Sequence, residues 1–129
     1  MLVDTKSIII NTDYDTLFTF LSQEENAPKW AINYCLSIRK VGDDYLVITP
    51  EGEMFIEIIS DVKTGIVDMR CGPSKDEMLT FPARVTALPD GTCLFCLTCI
   101  MLKDLTDEEL TALRHSFQEE FQALVKAVA

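Results

Sequence analysis

The last quarter of the chain can satisfy its own pattern only as one long amphipathic helix. Thr106-Asp107-Glu108-Glu109 has the form of a capping box, a Thr cap with Glu three residues on. Beyond it Leu110, Leu113, Phe117, Phe121, Leu124 and Val128 recur at steps of three and four. That spacing predicts a helix from Asp107 nearly to Ala129 with one continuous apolar stripe. Such a helix can cover one face of a sheet, and the segment before it supplies strands.

Between Tyr34 and Met101 short apolar runs alternate with turn residues. Strands are predicted at 35–41, 45–49, 53–60, 66–71, 78–88 and 92–102. They are separated by Gly42-Asp43-Asp44, Pro50-Glu51-Gly52, Lys63-Thr64-Gly65, Gly72 to Asp76 and Pro89-Asp90-Gly91. Pro82 falls inside the fifth of these and predicts a bulge or a split there. Ahead of them Ser7 to Asn11 reads as a strand. Thr12 and Asp13 can cap a helix in which Leu17, Phe20 and Leu21 share a face. Pro28 predicts a break and a second short helix around 24–31, with Trp30 as a large apolar anchor.

Three of the five cysteines sit in Cys93-Leu94-Phe95-Cys96-Leu97-Thr98-Cys99, a spacing that invites a metal reading. Iron–sulfur runs need a fourth thiolate, and zinc sites place paired ligands on turns. This run has no Gly or Pro and reads as a core strand. Alternation then puts Cys93, Phe95, Leu97, Cys99 and Met101 on one face and Leu94, Cys96, Thr98 and Ile100 on the other. Cys93 and Cys99 would lie roughly 20 Å apart along the strand. No metal and no cofactor is expected. Both faces of this strand are apolar, so the helix can cover one and a second subunit the other.

With 129 residues the chain fits one domain, 1–129, able to bury about two thirds of its unfolded surface. Its net charge of −10 leaves no basic footprint for nucleic acid or for an anionic membrane surface. No apolar run approaches the ~20 residues that span a bilayer. The odd cysteine count suits a reducing compartment, and the expectation is a cytoplasmic protein.

Catalytic signals are sparse. His115, the one histidine, lies about 140° round the helix from Leu110, off the apolar stripe. The carboxylate pairs Glu24-Glu25, Asp43-Asp44 and Glu119-Glu120 read as solvated charges in turns or on helix surfaces. Tyr45, Glu57, Asp68, Arg70, Thr80, Arg84 and Thr98 interrupt the apolar strands, with Arg70 and Arg84 expected to face outward.

The opening segment, with Leu17, Phe18, Phe20, Leu21, Glu25, Asn26, Pro28 and Trp30, resembles the START-like helix-grip (SRPBCC) superfamily, in its polyketide cyclase/dehydrase and lipid transport branch. The order of elements matches over nearly the whole chain. The resemblance implies an α+β fold: a curved seven-stranded antiparallel sheet wrapped around a long C-terminal helix, with two short helices after strand 1. It also implies a cavity between sheet and helix that takes a small, mostly apolar ligand such as a lipid or polyketide. Its walls would be Ile58, Phe81, Phe95, Leu97, Leu113, Phe117 and Phe121, with Trp30 closing one end. Two alternatives stand beside that one. The first is a cyclase or dehydratase using Tyr45, Glu57 or His115. The second is an interaction module that forms a homodimer through the sheet without a ligand.

Overall fold

The computed structural model describes residues 1–129. The first strand, β1 (Leu2–Ile10), hands over to α1 (Tyr14–Leu21) through Asp13, whose carboxylate accepts the Thr16 N–H at 2.8 Å. This satisfies an amide that the first helical turn leaves without a partner. A 3₁₀ turn (Glu24–Asn26) leads into the single turn of α2 (Ala27–Trp30). Pro28 sits in that first turn, where its missing N–H costs nothing. The strands β2 (Ser37–Val41), β3 (Asp44–Thr49), β4 (Gly52–Asp61) and β5 (Ile66–Gly72) follow as a meander. Next come β6 (Leu79–Phe81), β7 (Ala83–Ala87) and β8 (Cys93–Met101), then α3 (Asp107–Val128). The expected capping box is formed: Thr106 Oγ1 accepts the Glu109 N–H and Glu109 Oε1 accepts the Thr106 N–H, both at 3.1 Å.

All pairings are antiparallel, in the order β1-β8-β7-β5-β4-β3-β2 with β6 attached to β5. The sheet has eight strands where seven were expected, because Pro82 divides one long strand. The two pieces keep one register against β5, as Met69↔Phe81 and Ile66↔Arg84 show, so the chain splits without a bulge. Asp68 repairs the gap: its Oδ1 accepts the Ala83 N–H at 3.0 Å, replacing a rung of the ladder. One of the polar residues among the apolar strands is thereby accounted for.

Alternation along β8 decides which face is inside. Cys93, Phe95, Leu97 and Cys99 are buried, while Leu94, Cys96, Thr98 and Ile100 are half-buried on the other face. The cysteines therefore diverge, as alternation along a strand demands. α3 covers the inner face through Phe121, Leu124 and Val128, and α2 reaches the same core through Trp30. The outer face of the β1–β8 pair stays open to solvent and carries the cross-strand pairs Val3↔Ile100 and Ile9↔Leu94. Between them the Thr5 and Thr98 hydroxyls hydrogen-bond at 2.9 Å.

Gly65, at the β4–β5 turn, adopts φ +82° with its carbonyl accepting the Val85 N–H at 2.8 Å, and a Cβ there would lie 2.0 Å from the Val85 carbonyl oxygen. Gly42 also has positive φ, +61°, but opens onto empty space. Gly65→Ala should therefore lower stability by roughly 3 kcal/mol and Gly42→Ala by about 1 kcal/mol. Urea midpoints of the two variants provide the comparison, and equal losses would contradict the packing argument.

Candidate functional site

The space expected to hold a ligand lies between the inner face of the sheet and α3. Its closed end is aromatic. The Trp30 ring meets Phe95 edge-on, with centroids 5.8 Å apart and planes at 89°. Phe95 in turn meets Phe121 at 5.6 Å. These three and Leu97 are buried. The other four expected wall residues, Ile58, Phe81, Leu113 and Phe117, are only half-buried. Ile58 is paired with Met69 and Met69 with Phe81, so a row of apolar side chains crosses β4, β5 and β6 on the inner face. The structure thus divides the eight residues into four that are buried and four that are partly exposed.

Two clefts border this core. One, of about 480 Å³, runs between β1 and one flank of α3 and includes Phe117 and Phe121 in its wall. The other, of about 360 Å³, sits over β3 and β4 and is mostly charged: Glu24, Asp43, Asp44, Glu57 and Lys75 surround Tyr45 and Met78. Lys75 and Asp44 close to 2.7 Å across it.

The side chains considered for acid–base work are placed as follows. The Tyr45 hydroxyl donates to Glu25, a bond that pushes the phenol up to about 12. Glu57 pairs with Arg70 at 3.4 Å in an exposed contact. His115 is 73% exposed and lies 3.8 Å from Glu119. Arg84 is exposed and Arg70 half-buried.

Glu120 corrects the expectation that the Glu119-Glu120 pair is solvated. It is 4% exposed, on the inner side of α3. Its Oε2 accepts the Asn33 N–H at 3.2 Å from the loop after α2, while the Asn33 side chain donates to the Ser116 carbonyl and hydroxyl. Burial lifts the Glu120 carboxyl to about 7; the backbone amides of Asn33 and Tyr34 pull the other way, and Glu119 adds to the rise. Around it the thiols of Cys35 and Cys99 are pushed up to about 12 and about 11, chiefly by burial. The Tyr34 hydroxyl and Cys71 Sγ are 3.4 Å apart in the same region, and burial raises the Tyr34 phenol well above its ordinary value. A signal for Glu120 existed: it follows Phe117 by three and precedes Leu124 by four, so it stands in the apolar stripe.

No family model matches the sequence, and no curated protein matches it. Solved structures do. A conserved protein from Geobacillus kaustophilus superposes with a TM-score of 0.74 at 14% identity, covering 98% of this chain and 95% of that one. The Aha1 dimer from Colwellia psychrerythraea gives 0.71 at 12%, covering 99% and 96%. A START superfamily protein from Mycobacterium smegmatis gives 0.69 at 9%, covering 98% and 96%. At these identities the likeness concerns the fold, and the fold is the START-like helix grip.

A carboxyl raised in the folded state binds its proton more tightly there than in the unfolded chain. Its contribution is complete below the unfolded value near 4.5 and is lost as pH rises to about 7. Wild-type stability should fall between pH 4.5 and 7 by on the order of 3 kcal/mol from this group. Glu120→Gln should flatten that decline and be the more stable protein at pH 8. Urea midpoints across this range test it, and parallel profiles would refute the assignment.

Proposed function

We propose that this START-like helix-grip chain, acting as one domain, binds a small and mostly apolar molecule between the sheet and the N-terminal half of α3. One observation carries the reading, a change of burial along a single stripe. Phe121, Leu124 and Val128 are 6%, 0% and 9% exposed, whereas Leu110, Leu113 and Phe117 on the same stripe stay half-buried. On the inner face of the sheet the row Ile58, Met69 and Phe81 is also half-buried. Apolar surface left half-covered on both the helix and the sheet is surface that an apolar guest would bury. Each Å² it removes from water contributes ~25 cal/mol. Trp30, Phe95, Leu97 and Phe121 form the floor of this site and Ile58, Phe81, Leu113 and Phe117 its rim.

No helix is long and apolar enough to cross a membrane. We place the protein in the cytoplasm, where an odd set of five cysteines is kept as thiols.

An uncharged apolar dye should bind and be displaced by lipids or polyketides, and Phe117→Trp should report entry of the guest by a fluorescence shift. Leu113→Glu places a charge at the rim and should weaken binding at least about tenfold. Flat titrations against broad lipid and polyketide sets would sink the reading.

A second reading, a homodimer formed through the sheet, is favoured by the outer face of β1 and β8. Val3 and Ile9 are 56% and 63% exposed beside Ile100 and Leu94, a strip of the kind that marks interfaces. On that reading the wild type sediments at twice the chain mass and Val3→Lys with Ile9→Lys at the chain mass. A monomeric wild type removes it.

A further inference from the structure

The chain carries 21 acidic residues against 11 Lys and Arg, yet the 480 Å³ cleft between β1 and α3 has no acidic wall residue. Lys6, Arg114 and His115 stand on its walls, with Ile8, Phe117 and Phe121 between them. For an acidic protein this is an inversion of charge at one place, and a volume of this size suits a small ligand. Asp4, 16% exposed, meets Arg114 Nε at 3.5 Å and Lys6 Nζ at 3.9 Å. The two terminal nitrogens of Arg114 have no hydrogen-bond partner within the chain. Asp4 offsets one of the two permanent cations of the walls, and Glu119, which is not itself a wall residue, stands 3.8 Å from His115. The one cation left over on the walls matches a monoanion better than a phosphate dianion. Phe121 belongs both to this cleft and to the buried aromatic floor through its contact with Phe95, so the charged mouth and the apolar interior share a wall.

We propose that this cleft receives the carboxylate head of a long-chain amphiphile, held by Lys6 and Arg114, while its tail runs along Phe117 and Phe121 into the apolar space. The inference rests on the apolar-ligand reading above and narrows the guest to a monocarboxylate taken up as a single molecule. A bilayer of anionic lipid is disfavoured by the net charge of −10.

Decanoate and decanol, which share a chain and differ in the head, test it by displacement of an uncharged apolar dye. Decanoate should displace the dye at about fivefold lower concentration, a modest factor because the Lys6 and Arg114 side chains are 32% and 50% exposed. Lys6→Gln with Arg114→Gln should bring the two concentrations together and leave decanol unchanged. Lys40→Gln with Lys63→Gln alters the net charge equally, on β2 at the opposite edge of the sheet and at the β4–β5 turn, and should keep the preference. Should the first pair not fold, Arg114→Gln alone carries the comparison. The proposal falls if wild type shows no preference, if the preference survives loss of Lys6 and Arg114, or if the distant pair abolishes it. It also falls if the protein binds anionic vesicles in place of free decanoate. Dye that binds and is displaced by decanol but not preferentially by decanoate overturns this inference alone; dye that does not bind overturns the apolar-ligand reading with it.

Discussion

Phe95 is where the layers of this protein are fastened to one another. It is fully buried, and its ring touches Trp30 from the short helical segment and Phe121 from the terminal helix. Aromatic contacts of this geometry contribute beyond the apolar area they cover. Because Phe95 belongs to β8, and β8 lies between β1 and β7, the same residue ties α2 and α3 to the part of the sheet where the first strand pairs with the last. Those three rings fill the space between the sheet and the helices at this point.

The charged groups are arranged around that core in two ways. Most face water, where pairs such as Arg39 with Glu53 add little to stability. Glu120 instead sits inside, in contact with the loop that carries Asn33, and couples the position of α3 to the residues after α2. A buried carboxyl that keeps its hydrogen bond avoids the larger penalty of an unsatisfied charge. It still opposes ionisation, which makes the α2–α3 junction one place where the fold responds to pH.

The architecture was largely legible because its signals are periodic. The capping box, the stripe of α3, the alternation in β8 and the Pro82 interruption each follow from spacing alone, and each is present. The strand count differed by one because a sequence reveals that proline breaks a strand but not whether the pieces keep one register. Glu120 was misjudged because its type, an acid beside another acid, outweighed its position within the apolar spacing. The basic cleft escaped notice for a different reason. Lys6 and Arg114 are more than a hundred residues apart, and only the pairing of β1 with β8 beneath the terminal helix brings them together. Ligand identity is not periodic at all; it depends on how far two surfaces stand apart, which spacing along a chain does not encode.

The alternation of β8 also governs how the protein meets oxidants. Cys35, Cys71, Cys93 and Cys99 are sealed in the interior, and burial makes all four poor thiolates. Cys96 alone lies on the opposite face, half-open to solvent among Leu94, Thr98 and Ile100. A dissolved peroxide or alkylating reagent therefore reaches one sulfur while the chain stays folded, and the other four only after it opens. The sulfur-rich strand thus behaves as a single accessible thiol backed by an inert reserve.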